Sequence, residues 1–194
     1  MNKNRLEAFS DGVLAIIITI MVLELKVPHN PTLQSYLDAF PVFISYALSF
    51  IFVGLYWNSH YHLFHKATVV NNKTLLLNLS GLFFVSLIPF STATMGENAF
   101  TSITVTVYSI TLVLCVISYM LLVHQLRLLH GINSQFSKAF KGQFKSYLSI
   151  VLNSGAAIIS GLGMPKIGFS ILLLSRLLWF NPSEGFKNNH SKNQ

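Results

Sequence analysis

The sequence predicts an all-α membrane protein whose chain crosses the bilayer six times. Three observations lead there. Only 10% of its 194 residues are charged while 52% are hydrophobic, against about 25% charged in a soluble domain, so the chain lacks the surface that water requires. Six apolar runs alternate with short polar breaks, and about 20 apolar residues suffice for a helix to cross the hydrocarbon. The basic residues, finally, fall almost entirely on one side of the six-span arrangement. With the N-terminus inside, eleven (Lys3, Arg5, Lys66, Lys73, Arg127, Lys138, Lys141, Lys145, Arg176, Lys187, Lys192) lie on the cytoplasmic side and two (Lys26, Lys166) on the other, as the positive-inside rule requires.

The runs span approximately 6–27, 37–64, 74–95, 103–126, 147–163 and 166–181. Pro28 and Pro31 end the first, because proline cannot continue a helix. Asn71 and Asn72 mark the turn after the second run, and Gly96, Glu97 and Asn98 the turn after the third. Pro89 predicts a kink within the third run. Residues 127–145 form the longest internal polar stretch, with room for an amphipathic surface helix. Gly161, Gly163 and Pro165 make a tight hairpin between the last two runs, which lie near the lower length limit for spanning. The six-span transmembrane domain is residues 1–181, and 182–194 is a polar cytoplasmic tail, disordered by composition.

Composition also excludes functions. The net charge of +7 accompanies no nucleic-acid recognition motif and no continuous basic stripe, so no nucleic-acid partner is expected. Cys115 is the sole cysteine and sits in an apolar run, which removes an intrachain disulfide and any multi-cysteine metal site. No nucleophile with a base, no catalytic carboxylate pair and no phosphate loop is present, so neither an enzyme nor a cofactor is expected. His60, His62 and His65 lack metal-ligand spacing and read as polar residues at a membrane interface, with pH sensing an open alternative.

The first helix carries the most information. At 100° per residue, with Ile16 at zero, Ile20 lies at about 40°, Leu23 at about −20° and Phe9 at about 20°. Thr19 flanks this stripe at about −60°, and Ser10, Glu7 and Asp11 fall at about 120°, 180° and 220°, on the opposite face. Carboxylates near lipid need partners. Trp57 and His60, three apart on the second helix, share a face and are candidate donors to Asp11 or Ser10, with Asn78 at a similar level in the third. Arg5, about 120° from Asp11, is better placed to reach a carboxylate on a neighbouring helix or subunit. Ser10 and Asp11 also suit a helix cap at the membrane edge; the interhelical anchor is the preferred reading.

The run Arg5-x-x-x-Phe9-Ser10-Asp11, followed by Val13, an isoleucine run, Thr19 and Leu23-Glu24, resembles the prokaryotic members of the transmembrane protein 175 family. Trp57-x-x-His60, Asn78 and Pro89 extend the resemblance, which covers all six runs. It implies a potassium-permeable channel of the bacterial cell membrane: a homotetramer of six-helix subunits, both termini cytoplasmic, with the first helix lining the pore. Ile16, Ile20 and Leu23 match the family's apolar constriction, and Thr19 a threonine tied to ion selectivity. Arg5, Phe9, Ser10, Asp11, Trp57, His60 and Asn78 match its structural motif. Relatives carry adjacent histidines on the second helix, whereas Tyr61 follows His60 here. Only Trp57 and His60 are therefore carried over. The implied permeant is K+, passing an apolar neck that closes by dewetting. The alternative is a secondary transporter or a proton-permeable pore. A carrier is disfavoured because no charged residue lies in the middle of the first four runs.

Overall fold

The computed structural model describes residues 2–180, and side chains up to residue 176; the expected tail at 182–194 lies outside the described residues. All regular structure among them is helical. Asn2 opens α1 (Lys3–Leu23) by accepting from the Asn4 N–H at 3.0 Å, which starts the helix three residues before the first apolar run. The short α2 (Leu33–Asp38) precedes α3 (Phe40–Lys66). The third run is two helices, α4 (Asn72–Ser86) and α5 (Ile88–Glu97), broken at Leu87. Pro89 sits in the first turn of α5, where its missing N–H is tolerated. The long α6 (Ser102–His130) runs four residues beyond its apolar run. A five-residue α7 (Gln135–Ala139) occupies the polar stretch, and α8 (Phe144–Gly161) and α9 (Pro165–Phe180) form the last hairpin. Gly163 supplies the left-handed residue of that turn, with φ 91°.

Among the described residues, four segments are long and apolar enough to cross a membrane: α1, α3, α4 with α5 taken together, and α6. The helix α8 has 18 residues and α9 has 16. Both are short or polar beside those four, and Asn153 and six serines interrupt their apolar sequence.

One helix pattern organises the rest. Leu6, Ser10, Leu14, Ile17 and Met21 of α1 are buried, at the three- and four-residue spacing that keeps them on one face. That face packs on α3, α4 and α5. The main core joins Leu14, Ile17 and Met21 to Leu48, Val85, Tyr108 and Leu112. A second cluster around Leu6, Phe64, Leu122 and Phe136 closes one end of the bundle. That end is also the basic one, where Lys66 lies over the Phe140 ring and Arg127 donates to Ser137. His130, at the end of α6, accepts from the Thr68 N–H at 2.9 Å through Nε2 while Nδ1 contacts the Leu126 carbonyl at 2.8 Å. The two contacts together fix the neutral Nδ1–H tautomer and tie the α3–α4 connection to α6. Inside the bundle, Ser49 on α3 bonds both Thr92 on α5 (2.6 Å) and Tyr108 on α6 (2.9 Å).

Close helix contact fixes the position of α5. A Cβ at the buried Gly96 would stand 2.7 Å from the Val42 Cα and 2.5 Å from the Ser45 Oγ. Backbone on α3 cannot yield as a side chain does. Gly96→Ala is expected to cost about 1–3 kcal/mol by overpacking, read as a lower melting temperature of the detergent-solubilised protein.

Candidate functional site

Three buried polar side chains hold the inner face of α1. Ser10, His60 and Asn78 are all at most 1% exposed. The Ser10 hydroxyl donates to the Leu6 carbonyl at 2.9 Å and so has only an acceptor left. Asn78 fills it through Nδ2 at 2.9 Å. Its Oδ1 therefore faces His60 Nε2, 2.8 Å away, and that nitrogen must carry the proton. Every donor in the chain has one acceptor, so the direction of each bond is fixed by the one before it. His60 also packs on Phe64 and stacks on Tyr56. It does not reach α1 itself: Asn78 stands between them, where the sequence alone offered His60 a direct bond.

Asp11 points the other way. It is exposed, and Trp57 donates to its Oδ1 through Nε1 at 3.0 Å. Trp57 is 43% exposed and stacks on Tyr61. Lys3, about two turns earlier, donates to the Phe64 carbonyl at 3.1 Å and pairs with Glu7 at 3.7 Å. Arg5 is exposed and makes no ion pair among the described residues.

The described residues leave the opposite face of α1 largely uncovered. Phe9, Ile16, Ile20 and Leu23 are 53, 57, 43 and 75% exposed. Thr19 is exposed among them and its hydroxyl donates to the Ile16 carbonyl at 2.9 Å. With the hydroxyl proton engaged by the backbone, the oxygen presents lone pairs outward. That is the polarity a cation requires. Beside this face runs an open groove of about 650 Å³ between α1 and α5, walled by Ile16, Ile20, Glu24, Pro89, Phe90 and Glu97. At its far end from the basic cap, Lys26 meets Glu97 at 2.5 Å. That carboxylate raises the Lys26 pKa above the ordinary lysine value, so the ammonium is charged at neutral pH and the lysine's contribution to the pair is lost as pH rises beyond the ordinary lysine range.

Sequence reasoning missed two features. The Lys26–Glu97 pair joins residues 71 apart, and nothing in either local pattern announces it. Arg176, counted above with the basic residues of the cytoplasmic side, is only 3% exposed, with its guanidinium 4.7 Å from the Phe52 ring centre, inside the bundle. A lone arginine five residues from a span end looks interfacial in sequence; only the packing of α9 on α3 and α6 turns it inward.

The family described as "Endosomal/lysosomal potassium channel TMEM175" matches residues 5–89, the segment that contains α1 from Arg5 onward, Trp57, His60, Asn78 and Pro89. A potassium channel of Chryseobacterium is 41% identical over 193 residues and both chains are covered completely. The endosomal/lysosomal proton channel TMEM175 of Gallus gallus is 32% identical over 111 residues, about half of this chain and 22% of that protein. The crystal structure of a lysosomal potassium-selective channel TMEM175 homolog from Chamaesiphon minutus shares the fold, with TM-score 0.81 over 92% of this chain and 96% of the other at 22% identity. With its anchor and its uncovered α1 face inside the matched segment, the chain belongs to the TMEM175 family of ion channels and is not an enzyme.

Proposed function

We propose that this chain is a passive, modestly potassium-selective cation channel of a bacterial cell membrane, built from four copies around a central pore that the α1 helices line. The observation that carries the reading is the division of α1 into two faces. One is locked to α3, α4 and α5 by apolar packing and the Ser10–Asn78–His60 chain; the other leaves Ile16, Ile20 and Leu23 uncovered with Thr19 beside them. Four such faces around an axis make a neck that is dry when narrow and conducts once it widens enough to wet. Thr19 would offer a ring of oxygens to an ion that has shed part of its shell. Arg5, exposed at the start of α1, is placed to pair across a subunit boundary. In this assembly α8 and α9 complete six spans, and the basic end of the bundle faces the cytoplasm with both termini. The full-length identity to a potassium channel supports the choice of ion.

Protein reconstituted in liposomes should pass potassium down its gradient without a counter-ion and without saturating like a carrier. Flux that requires a coupled ion would overturn the channel reading. A proton pathway through the same pore is the second reading, favoured by the matches to proton channels. It predicts internal acidification under a pH gradient with potassium absent from both sides.

The Lys26–Glu97 pair then lies at the outer mouth. Glu97→Gln leaves Lys26 without its partner, giving a ring of unpaired ammonium groups there. Inward potassium current is expected to fall at low ionic strength and to recover near 1 M salt, where the Debye length is about 3 Å. The pair is exposed, so the melting temperature should not move.

A further inference from the structure

The least expected group in the bundle is Arg176. It sits on α9 against Phe52, a residue midway along α3, and beside a small cavity of about 30 Å³ whose wall includes Tyr56, Ser59, Tyr119 and Ser146. Its Nε and Nη2 are buried and have no hydrogen-bond partner. Among the described residues no carboxylate pairs with it. A guanidinium remains charged at any physiological pH, and an unpaired charge at this depth is costly. The face of Phe52 offsets only part of that cost.

The surroundings supply no counter-charge, and the cavity wall is almost entirely apolar. Tyr119 already gives its hydroxyl proton to the Ser59 carbonyl, and Ser59 gives its own to Leu55. Ser146, 5% exposed, makes no side-chain hydrogen bond among the described residues. Along the same α8–α9 seam, Asn153 Nδ2 is also buried without an acceptor. A buried positive charge with no counter-charge, beside a cavity, defines a site for an anion. Water would satisfy the N–H groups but not the charge. The volume holds about two waters, so the occupant is small and largely stripped of its shell.

From the buried, unpaired guanidinium and the cavity beside it we infer that each subunit binds one small monovalent anion of halide size at Arg176, neutralising the charge inside the α3–α6–α8–α9 bundle. The site is apart from α1 and does not depend on the pore reading. It makes the anion a structural ligand of a protein whose permeant is a cation.

The test uses the intact purified protein with potassium held constant and the counter-anion varied. Chloride or bromide in place of gluconate should raise the melting temperature saturably, by about 4 °C at ten times the dissociation constant. Arg176→Met should lose that dependence and Arg176→Lys should keep part of it. Equal melting temperatures in all anions, or the same anion dependence in Arg176→Met, would overturn the inference. Should Arg176→Met fail to fold, wild-type crystals grown in bromide decide the matter: an anomalous peak beside the Arg176 guanidinium is expected, and its absence refutes the site. A phospholipid retained through delipidation and lost in Arg176→Lys would also refute it, by assigning the cavity to a lipid phosphate.

Discussion

Ile20→Asn is expected to raise resting potassium flux through reconstituted protein by about tenfold, equivalent to removing about 1.4 kcal/mol from the permeation barrier. Ile20 is 43% exposed in the subunit, so the exchange removes little internal packing. What it changes is the wall of the proposed neck. An apolar ring excludes water because the water inside it loses hydrogen bonds, and one amide per subunit restores them. Leu23→Asn should act in the same direction from the next turn. The control is Val22→Asn. Val22 is 45% exposed but lies about 160° around α1 from Ile20, so flux should stay at the wild-type level. Equal activation by the two variants would mean that the polar residue perturbs α1 generally, and the pore-facing assignment of Ile16, Ile20 and Leu23 would fail.

The two faces of α1 were legible in the sequence because a single helical period separates them. Ser10 falls about 120° from Ile16 whatever the helix packs against, and the structure buries the first and exposes the second. The break within the third run was legible for an equally local reason, since Pro89 removes one N–H from the ladder. What sequence could not give is the order of contacts across helices. Trp57 and His60 share a face of α3, yet Trp57 reaches Asp11 while His60 reaches Asn78. That split depends on the distance and crossing angle of α1, α3 and α4, which no single helix encodes. Arg176 marks the same boundary. Its burial is decided by α9 lying against α3 and α6, and its spacing from the span end points the other way.

The buried polar chain yields the largest expected loss of stability. Asn78→Leu removes the donor to Ser10 and the acceptor for His60 together, leaving a ring N–H and a hydroxyl oxygen unpaired at sites at most 1% exposed. Buried groups left without partners cost about 1–3 kcal/mol each, so a total near 4 kcal/mol is expected. At about 2–4 °C per kcal/mol for a chain of this size, the melting temperature should fall by roughly 8–16 °C. Trp57→Phe, which removes only the exposed bond to Asp11, should cost under about 1 kcal/mol. A double-mutant cycle separates polar pairing from simple loss of shape. His60→Phe alone strands the Asn78 carbonyl oxygen, but in the Asn78→Leu background it removes a donor that already has no acceptor. The combined cost should therefore be smaller than the sum of the two single costs, by about 1–3 kcal/mol. Additive costs would mean that Asn78 and His60 act separately. The bond from Asn78 to Ser10 would then hold α1 without help from His60.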